Sequence, residues 1–239
     1  MDPNGRTALV TGGTKGIGRG IAEAMIRAGM DVVVTARSEE DVRAAEEALG
    51  ALGGGRALGL VCDVRDLQQQ RAAVRATLEA FGRLDVLVAN AGVGRFASIA
   101  DLDVDAWHEV IDTNLTGVFY SIKAALTALE EAEGLIITIG SLAGANFFAG
   151  GAAYNASKFG LAGFSQAVML DLRGRGVRVS TIMPGSVATH FSGRAPGDAD
   201  AWKIQPEDVA DLVLSLIRMP ARTLPSKIEV RPSRPPSAG

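Results

Sequence analysis

Short apolar runs, rich in β-branched residues, alternate along the chain with longer stretches whose apolar positions recur at helical spacing. Seven of the short runs are predicted to be strands: Thr7–Thr11, Asp31–Thr35, Ala57–Val61, Asp85–Asn90, Leu135–Ile139, Val177–Met183 and Ile228–Val230. Most of them are continuously apolar, which is typical of strands buried on both sheet faces. The longer stretches predict helices at Gly16–Ala28, Glu39–Leu49, Asp66–Phe81, Asp105–Ala132, Ala152–Arg173 and Pro206–Arg218. This alternation predicts an α/β fold, a doubly wound parallel sheet of about seven strands with helices on both faces.

The pattern contains no internal repeat, linker or composition break, and we expect residues 1–232 to form a single domain. Two segments lack helical or strand periodicity. Ser186–Gln205 contains Gly, Pro, Asp and Ser and is expected to be a long loop of the kind that often has a function. Residues 233–239, rich in Pro and Ser, are expected to form a flexible tail.

Composition narrows the class of protein. The 239 residues are 47% hydrophobic and 21% charged, which suits a globular chain with a sizeable core. The formal net charge of -3 gives no sign of a nucleic-acid or anionic-membrane partner. A single cysteine, Cys62, fits a reducing compartment, and no apolar run approaches the ~18 residues of a membrane span. We therefore expect a soluble, cytoplasmic protein.

A glycine-rich loop connects the first predicted strand to the first helix: Thr11-Gly12-Gly13-Thr14-Lys15-Gly16-Ile17-Gly18. Glycines at such a point let the backbone turn tightly and approach a pyrophosphate at the helix amino terminus. The spacing differs from Gly-x-Gly-x-x-Gly, and a plain strand–helix turn would also use glycine. The strand–loop–helix context favours a dinucleotide site and hence a Rossmann-type sheet. No Gly-Lys-Ser/Thr follows, which excludes a nucleoside triphosphatase loop.

A second motif, Tyr154-Asn155-Ala156-Ser157-Lys158, places Tyr154 and Lys158 on one face of a helix. The spacing alone has a structural explanation, a partly buried tyrosine beside a lysine that extends to solvent. Its chemistry becomes specific beside Ser141, which follows the predicted strand Leu135–Ile139. Open α/β sheets bind their ligands at the carboxyl ends of strands.

Together these motifs resemble the short-chain dehydrogenase/reductase family in its compact form. The resemblance spans the chain from Thr11 to about Pro232. It includes the Thr11–Gly18 loop, Asp63-Val64, Asn90-Ala91-Gly92, Asn114-Leu-Thr-Gly, Ser141, Tyr154-x-x-x-Lys158 and Pro184-Gly185 with Val187 and Thr189 beyond. One position departs from the family pattern, because Ala89 replaces the first Asn of Asn-Asn-Ala-Gly.

The resemblance implies an oxidoreductase that moves a hydride between nicotinamide and a carbonyl/alcohol pair. Tyr154 would act as general acid/base, and Lys158 would lower its phenol pKa from about 10 and hydrogen-bond the nicotinamide ribose. Ser141 would hold the carbonyl oxygen. Asn114 would anchor a water that links Lys158 to solvent. The residues expected to bind the cofactor are Gly12, Thr14, Lys15, Gly16, Ile17, Gly18, Arg37, Ser38, Asp63, Val64, Asn90, Gly92, Tyr154, Lys158, Pro184, Gly185, Val187 and Thr189.

The second strand predicts NADP(H) rather than NAD(H). We take Thr35 as the strand end where NAD-binding members carry an acid that binds the ribose 2′-hydroxyl. Arg37 and Ser38 follow, and an arginine fork suits a 2′-phosphate. The resemblance places Lys15 near the same phosphate. A solvated Arg37 that caps a turn is the structural alternative.

Three other function classes are less well supported. Gly163-Phe164-Ser165-Gln166-Ala167 nearly matches a hydrolase nucleophile elbow, but it lies within a predicted helix. No His, Cys or carboxylate spacing indicates a metal site. A non-catalytic NADP-binding sensor on the same fold would be expected to lose the tyrosine or lysine. His108 is expected to be solvated on a helix, whereas His190 lies where it could line the pocket.

The substrate is a small or medium apolar carbonyl compound in our preferred interpretation, with a 3-oxoacyl-carrier-protein substrate as the alternative. Aromatic residues after the catalytic strands suggest an apolar pocket: Phe96, Phe147, Phe148, Phe191 and Trp202. Arg95 and Arg175 could contact an acidic carrier protein, but Glu130, Glu131 and Glu133 would repel it. The apolar faces of the two longest helices and the resemblance together predict a homotetramer, or a homodimer.

Overall fold

The computed structural model describes residues 2–193 and 195–234 and confirms the predicted α/β architecture. Seven parallel strands form one sheet in the order β3-β2-β1-β4-β5-β6-β7. The strands are β1 Thr7–Thr11, β2 Asp31–Ala36, β3 Ala57–Val61, β4 Val86–Ala89, β5 Leu135–Ile139, β6 Arg178–Pro184 and β7 Lys227–Val230. The helices are α1 Gly16–Arg27, α2 Glu39–Gly50, α3 Leu67–Phe81, α4 Val104–Ile111, α5 Gly117–Glu131, α6 Ala152–Leu172 and α7 Pro206–Arg218.

Alternating side chains of the central strands feed two separate cores. Val10 and Val34 pack with α1, α2 and α7 on one face, whereas Leu9 and Val33 pack with α3, α5 and α6 on the other. All four valine and leucine side chains are fully buried. Burial on both faces explains why the strands are continuously apolar, and it fixes which strand residues can face the site at the sheet edge.

The stretch predicted as one helix over Asp105–Ala132 is interrupted, so that prediction was wrong. A π-helical turn, Asp112–Thr116, separates α4 from α5. Thr113 and Asn114 are buried in this turn, and Asn114 bonds to the backbone of Val93 instead of facing solvent. Turns of this kind often occur at functional sites because they aim a side chain that a regular helix would place elsewhere.

The predicted loop Ser186–Gln205 folds back on itself. Val187 and Ile204 form a parallel bridge, and short 3-10 turns occupy His190–Ser192 and Asp198–Asp200. Arg194 within this loop, and residues 235–239 of the predicted tail, lie outside the described residues. Across the ranges that are described, no helix combines the length and apolarity needed to cross a bilayer.

Candidate active site

A cavity of about 560 Å³ opens at the carboxyl ends of the strands. It lies where the chain order reverses beside β1, the point at which open α/β sheets bind ligands. Seventeen of the predicted site residues line it: Gly12, Thr14, Lys15, Gly16, Ile17, Arg37, Asp63, Val64, Asn90, Gly92, Ser141, Tyr154, Lys158, Pro184, Gly185, Val187 and Thr189. Gly18, Ser38 and Asn114 are not among the lining residues.

The glycine loop is shaped by backbone conformations and contacts that only glycine accommodates. Gly12 and Gly16 have φ of 63° and 54°, in the left-handed region. A Cβ on Gly18 would lie 2.3 Å from the carbonyl oxygen of Gly12. Gly18 therefore supports the loop through close packing, and the prediction that it contacts a ligand finds no support in the cavity lining.

Asn90 ties the glycine loop to β4. Its Nδ2 donates to the carbonyl oxygens of Thr11 and Gly12 at 2.9 and 3.0 Å. In return, the hydroxyl oxygen of Thr11 accepts from the amides of Asn90 and Ala91 at 3.0 and 3.1 Å. The departure at Ala89 is accommodated without a hydrogen bond, because its side chain is buried in the core. Asn90 is thus a loop-positioning residue as well as part of the cavity wall.

The end of β2 corrects one detail of the sequence interpretation. Thr35 is fully buried, and its hydroxyl oxygen has no hydrogen-bond partner within the described ranges. Because strand side chains alternate, the next residue, Ala36, faces the cavity instead, followed by the exposed Arg37. The position where a carboxylate would meet the ligand is therefore Ala36, and our assignment of Thr35 to it was wrong.

The two other polar residues at this corner already have partners. Lys15 Nζ lies 2.7 Å from Asp41 Oδ2, and this ion pair is largely exposed. Ser38 begins α2 as its N-cap, where its hydroxyl oxygen accepts from the amide of Asp41 at 3.2 Å. Asp41 therefore organises both the lysine and the helix start, a contact that sequence reasoning missed.

Asp63 lies at the end of β3 within reach of Arg37. Its carboxylate accepts hydrogen bonds from the Arg65 guanidinium at 3.0 and 2.6 Å, and the Arg65 bond lowers its pKa, with a smaller contribution from the charge of Arg37. The neighbouring Cys62 is buried, as expected, and burial raises its pKa to about 11. Its thiol is therefore protonated and inert at neutral pH.

Ser141, Tyr154 and Lys158 meet at the other end of the cavity. Ser141 follows β5, and Tyr154 and Lys158 share one face of α6. Burial raises the pKa of Tyr154, and a hydrogen bond with Ser141 offsets part of that rise. Lys158 is 5% exposed, its Nζ donates to the carbonyl oxygen of Ile139 at 3.0 Å, and burial lowers its pKa to about 8. Burial therefore sets the direction of the Tyr154 shift, and the lowering of its pKa by Lys158 stays a prediction.

Asn114 approaches this group from the π-helical turn. Its Oδ1 accepts from the amide of Val93 at 2.8 Å, and its Nδ2 donates to the Val93 carbonyl at 2.9 Å and to Ser157 Oγ at 3.0 Å. Ser157 in turn donates to the carbonyl oxygen of Tyr154 at 2.8 Å. Asn114 therefore joins the loop after β4 to the helix turn that carries Tyr154 and Lys158.

Comparison with known proteins agrees with this geometry. The sequence profile of the short chain dehydrogenase family matches residues 6–199. The chain belongs to that family. It is 37% identical to trans-4-hydroxycyclohexanecarboxylate dehydrogenase of Sinomonas cyclohexanicum, over 88% of this chain and 85% of the relative. It is 39% identical to the 3-oxoacyl-(acyl-carrier-protein) reductase FabG of Salmonella typhimurium, over 80% of this chain and 78% of the relative.

Solved structures of the family have the same fold. A metagenomic short-chain oxidoreductase in complex with NADP superposes with a TM-score of 0.85 at 37% identity. The match covers 98% of this chain and 100% of that one. An alcohol dehydrogenase from Thermococcus sibiricus, complexed with 5-hydroxy-NADP, gives a TM-score of 0.90 at 29% identity, covering 96% of this chain and 98% of that one.

The residues of this dehydrogenase fit a dinucleotide. Lys15, which precedes α1, makes no side-chain cap, and the first turn of α1 carries no acidic residue. The backbone amide groups at the start of α1, and the positive end of its helix dipole, are therefore available to a pyrophosphate. Gly12 and Gly16 let the loop pack closely against Ala91 and Thr189. Arg37 lies at the same end of the cavity, after β2, which pairs with β1.

Several lining residues of the dehydrogenase were missed by sequence reasoning: Ala36, Ala91, Val93, Thr113, Ile139 and Gly140. Ile139 and Gly140 directly precede Ser141, so their place at a strand end could have indicated them. Thr113 could not have been found, because it reaches the cavity through the π-helical turn. His190 lines the cavity, and His108 is exposed, as the sequence suggested.

The aromatic residues divide into two groups. Phe191 lines the cavity, and the rings of Phe96 and Phe191 both contact Tyr154. Phe148 contacts Phe96. Phe147 is 87% exposed, and Trp202 packs beside Lys203 outside the cavity lining, so these two do not form part of the expected apolar pocket.

The acidic group and Arg175, which we expected near the pocket mouth, lie elsewhere, whereas Arg95 adjoins Phe96. Glu130 pairs with Arg175 at 2.8 Å, where α5 and α6 end before the amino ends of β5 and β6. Within one chain, this is the opposite end of the sheet from Ser141. Arg95 is paired with Glu109 at 2.8 Å. The repulsion argument against a carrier protein therefore does not apply to the mouth of the cavity in the same chain.

The hydrolase alternative receives no support. Ser165 is fully buried inside α6, and its hydroxyl bonds with that of Thr138 at 3.0 Å. Within residues 2–193 and 195–234, no group of three or more His, Cys, Asp or Glu side chains could hold a metal ion.

Proposed function

We propose that this chain is an NADP(H)-dependent reductase of ketones or aldehydes, with Tyr154 as its general acid/base. The observation that carries the proposal is one cavity with a glycine loop and Arg37 at one end and Ser141, Tyr154 and Lys158 at the other. Family relatives crystallised with NADP support the choice of cofactor. When bound, the reduced cofactor would supply a hydride to the carbonyl carbon and leave as NADP⁺.

Tyr154 is suited to the reductive direction. Burial holds its pKa above the usual value, so at neutral pH the phenol carries the proton that the carbonyl oxygen needs. Its hydroxyl donates that proton as negative charge develops on the carbonyl oxygen, and the product is the neutral alcohol. Ser141 Oγ, fixed by the Ala143 amide at 3.1 Å, donates a second hydrogen bond to the same oxygen.

Lys158 supplies the positive charge that lowers the free-energy cost of this proton transfer inside a buried site. With a pKa of about 8, it keeps its proton at pH 7 although it is buried. One N–H is used by the Ile139 carbonyl, and the remaining two can point toward Tyr154 and a ribose hydroxyl. The positive charge lowers the cost of leaving negative charge on Tyr154 after the proton has moved.

Asn114 acts as a positioning residue. Its hydrogen bonds to Val93 and Ser157 fix the distance between the cavity wall after β4 and the first turns of α6. The proposal from family resemblance, that Asn114 anchors a water leading from Lys158 to solvent, stays a prediction. Its loss is expected to lower turnover by misplacing Tyr154 and Lys158 rather than by removing a reacting group.

Two substrate classes follow from the relatives. The Sinomonas relative is named for a hydroxycyclohexane acid, and the Salmonella relative for a 3-oxoacyl chain on a carrier protein. We propose an apolar carbonyl compound, because Phe96 and Phe191 surround Tyr154. The carrier-linked substrate is the second candidate, and 39% identity to the Salmonella reductase favours it.

The test is direct. Purified protein is mixed with NADPH and a panel of ketones and aldehydes, and the loss of reduced-nicotinamide absorbance is followed. The proposal requires turnover that depends on both components. NADPH binding without turnover of any carbonyl compound, or of any alcohol with NADP⁺, would instead favour the sensor hypothesis.

We also propose a homotetramer or homodimer in a reducing, cytoplasmic setting. Phe119, Phe159 and Leu170 on α5 and α6 are 42%, 44% and 56% exposed. Large apolar side chains gathered on two helices are typical of a subunit interface. Light scattering at micromolar concentration tests this, and a monomer would contradict it.

A further inference from the structure

Three phenylalanines from three different loops lie near Tyr154, and two of them contact its ring. Phe96 follows β4, Phe148 follows β5, and Phe191 follows β6. The Phe96 and Tyr154 rings are 5.4 Å apart at 68°, an edge-on arrangement, and those of Phe191 and Tyr154 are 5.7 Å apart. Phe148 lies behind Phe96 with 5.9 Å between ring centroids. We call Phe96, Phe148 and Phe191 the aromatic cluster.

The backbone fixes where these rings can lie. A Cβ on Gly94 would be 2.7 Å from the Phe191 ring and 2.8 Å from the Phe96 ring, so both rings pack directly against bare backbone. The amide of Ala97 donates to the carbonyl of Gly150 at 3.0 Å and joins the loops that carry Phe96 and Phe148. The Phe96 and Phe191 rings therefore each contact both Gly94 and Tyr154.

The aromatic cluster is not part of the protein core. Phe96, Phe148 and Phe191 are 52%, 47% and 45% exposed. Apolar rings left half open beside a catalytic side chain, rather than scattered singly, are typical of a ligand-binding surface. The exposed cations of the cavity, Lys15 and Arg37, follow β1 and β2 and lie at the other end.

We infer that the aromatic cluster selects ketones with a flat or cyclic apolar group directly on the carbonyl carbon, in preference to linear acyl chains. The carbonyl oxygen must reach Tyr154 and Ser141, so a substituent on the carbonyl carbon must lie against Phe96 and Phe191. Rigid aromatic faces contact a flat ring over more area than a flexible chain, which must also lose rotational freedom on binding. This inference depends on the proposed reductase function.

The experiment compares two ketones of equal carbon number, acetophenone and 2-octanone, with the acetoacetyl thioester of N-acetylcysteamine as a mimic of a carrier-bound substrate. Rates are measured with NADPH for the wild-type chain, Phe191→Leu and Phe96→Leu. Leucine keeps an apolar side chain and removes the flat ring. Phe147→Leu is the matched control, since Phe147 is 87% exposed and, among the described residues, its ring does not contact Tyr154 as those of Phe96 and Phe191 do.

We expect wild-type kcat/KM for acetophenone to exceed that for 2-octanone and for the thioester by about tenfold or more. Phe191→Leu and Phe96→Leu should each lower the acetophenone value at least about fivefold while changing the 2-octanone value less than about twofold. NADPH affinity, measured by fluorescence, should be unchanged in all three variants.

A linear ketone or the thioester reduced as fast as acetophenone would overturn the inference and leave the reductase function intact. So would equal losses for both ketones in the leucine variants at unchanged NADPH affinity. No turnover of the three compounds by a preparation that reduces another ketone or aldehyde of the panel would overturn the inference alone. No turnover across the whole panel would overturn the proposed function as well.

Discussion

The choice between NADPH and NADH depends on two neighbouring residues at the end of β2. Ala36 and Arg37 both face the cavity, and Arg37 is exposed there. Replacing Arg37 with alanine removes a guanidinium that can hydrogen-bond a 2′-phosphate. NADH has a hydroxyl at that position and gains little from the guanidinium. We therefore expect Arg37→Ala to weaken the use of NADPH and to leave the use of NADH nearly unchanged.

The magnitude follows from the exposure of Arg37. Hydrogen bonds to charged groups contribute about 1.5–3 kcal/mol, and solvent screening places an exposed pair at the lower end of that range. The carboxylate of Asp63 also interacts with the charge of Arg37 and offsets part of its effect. Because ~1.4 kcal/mol corresponds to tenfold, kcat/KM for NADPH should fall about tenfold.

A second substitution tests the same geometry in the opposite sense. Ala36→Asp places a carboxylate on the cavity side of the strand, where it would repel a 2′-phosphate and accept a bond from a 2′-hydroxyl. NADPH use should fall by at least about tenfold and NADH use should rise. Thr35→Asp would bury a carboxylate in the fully enclosed interior, so we expect it to destabilise the fold rather than change cofactor preference.

The assay is kcat/KM for each cofactor at a fixed ketone concentration, with cofactor Kd measured separately by fluorescence. Arg43→Ala is the matched control, because Arg43 pairs with Glu39 on α2 and its side chain is 75% exposed. Equal wild-type kcat/KM for the two cofactors would refute the reasoning. So would an Arg37→Ala variant that loses NADPH and NADH activity to the same extent.

Two further predictions concern charged groups of the site. Asp41→Asn frees Lys15 from its 2.7 Å ion pair. In fluorescence titrations the variant should bind NADPH about two- to fivefold more tightly and NADH with unchanged affinity. Unchanged NADPH affinity would show that Lys15 is not needed for the 2′-phosphate. Lys158 has a pKa near 8 in the folded chain against an ordinary 10.5, so between these values the unfolded chain binds more protons and stability rises with pH. Relative to Lys158→Met, the wild-type free energy of unfolding should therefore increase by about 2 kcal/mol between about pH 7 and 9.5 in urea titrations, and parallel pH curves for the two proteins would contradict the buried, depressed lysine.

The sheet and most of the site could be predicted because their signals are local in sequence. Continuous apolar runs predicted both ends of β1 and β5 correctly, since both faces of those strands are buried. Ser141 and the glycine loop were placed correctly because each directly follows a strand, and the carboxyl ends of parallel strands share one edge.

Other features depend on distances that no local pattern contains. The π-helical turn at Asp112–Thr116 is only five residues long and lies between two helical stretches, so a single helix was expected. The side of β2 that faces the ligand depends on where the strand ends, and a difference of one residue exchanged Thr35 for Ala36. The Lys15–Asp41 pair and the contact of Phe191 with Tyr154 join residues far apart in the chain.

The central claim is that Tyr154 transfers the proton, and one substitution tests it. Tyr154→Phe removes a single hydroxyl and keeps the ring that contacts Phe96 and Phe191, so the fold and NADPH affinity should persist. The measurement is kcat for ketone reduction at saturating NADPH, with NADPH Kd recorded on the same preparation. We predict a loss of at least ~100-fold, the usual scale for removal of a general acid/base. Retention of more than about a tenth of wild-type turnover would contradict the account.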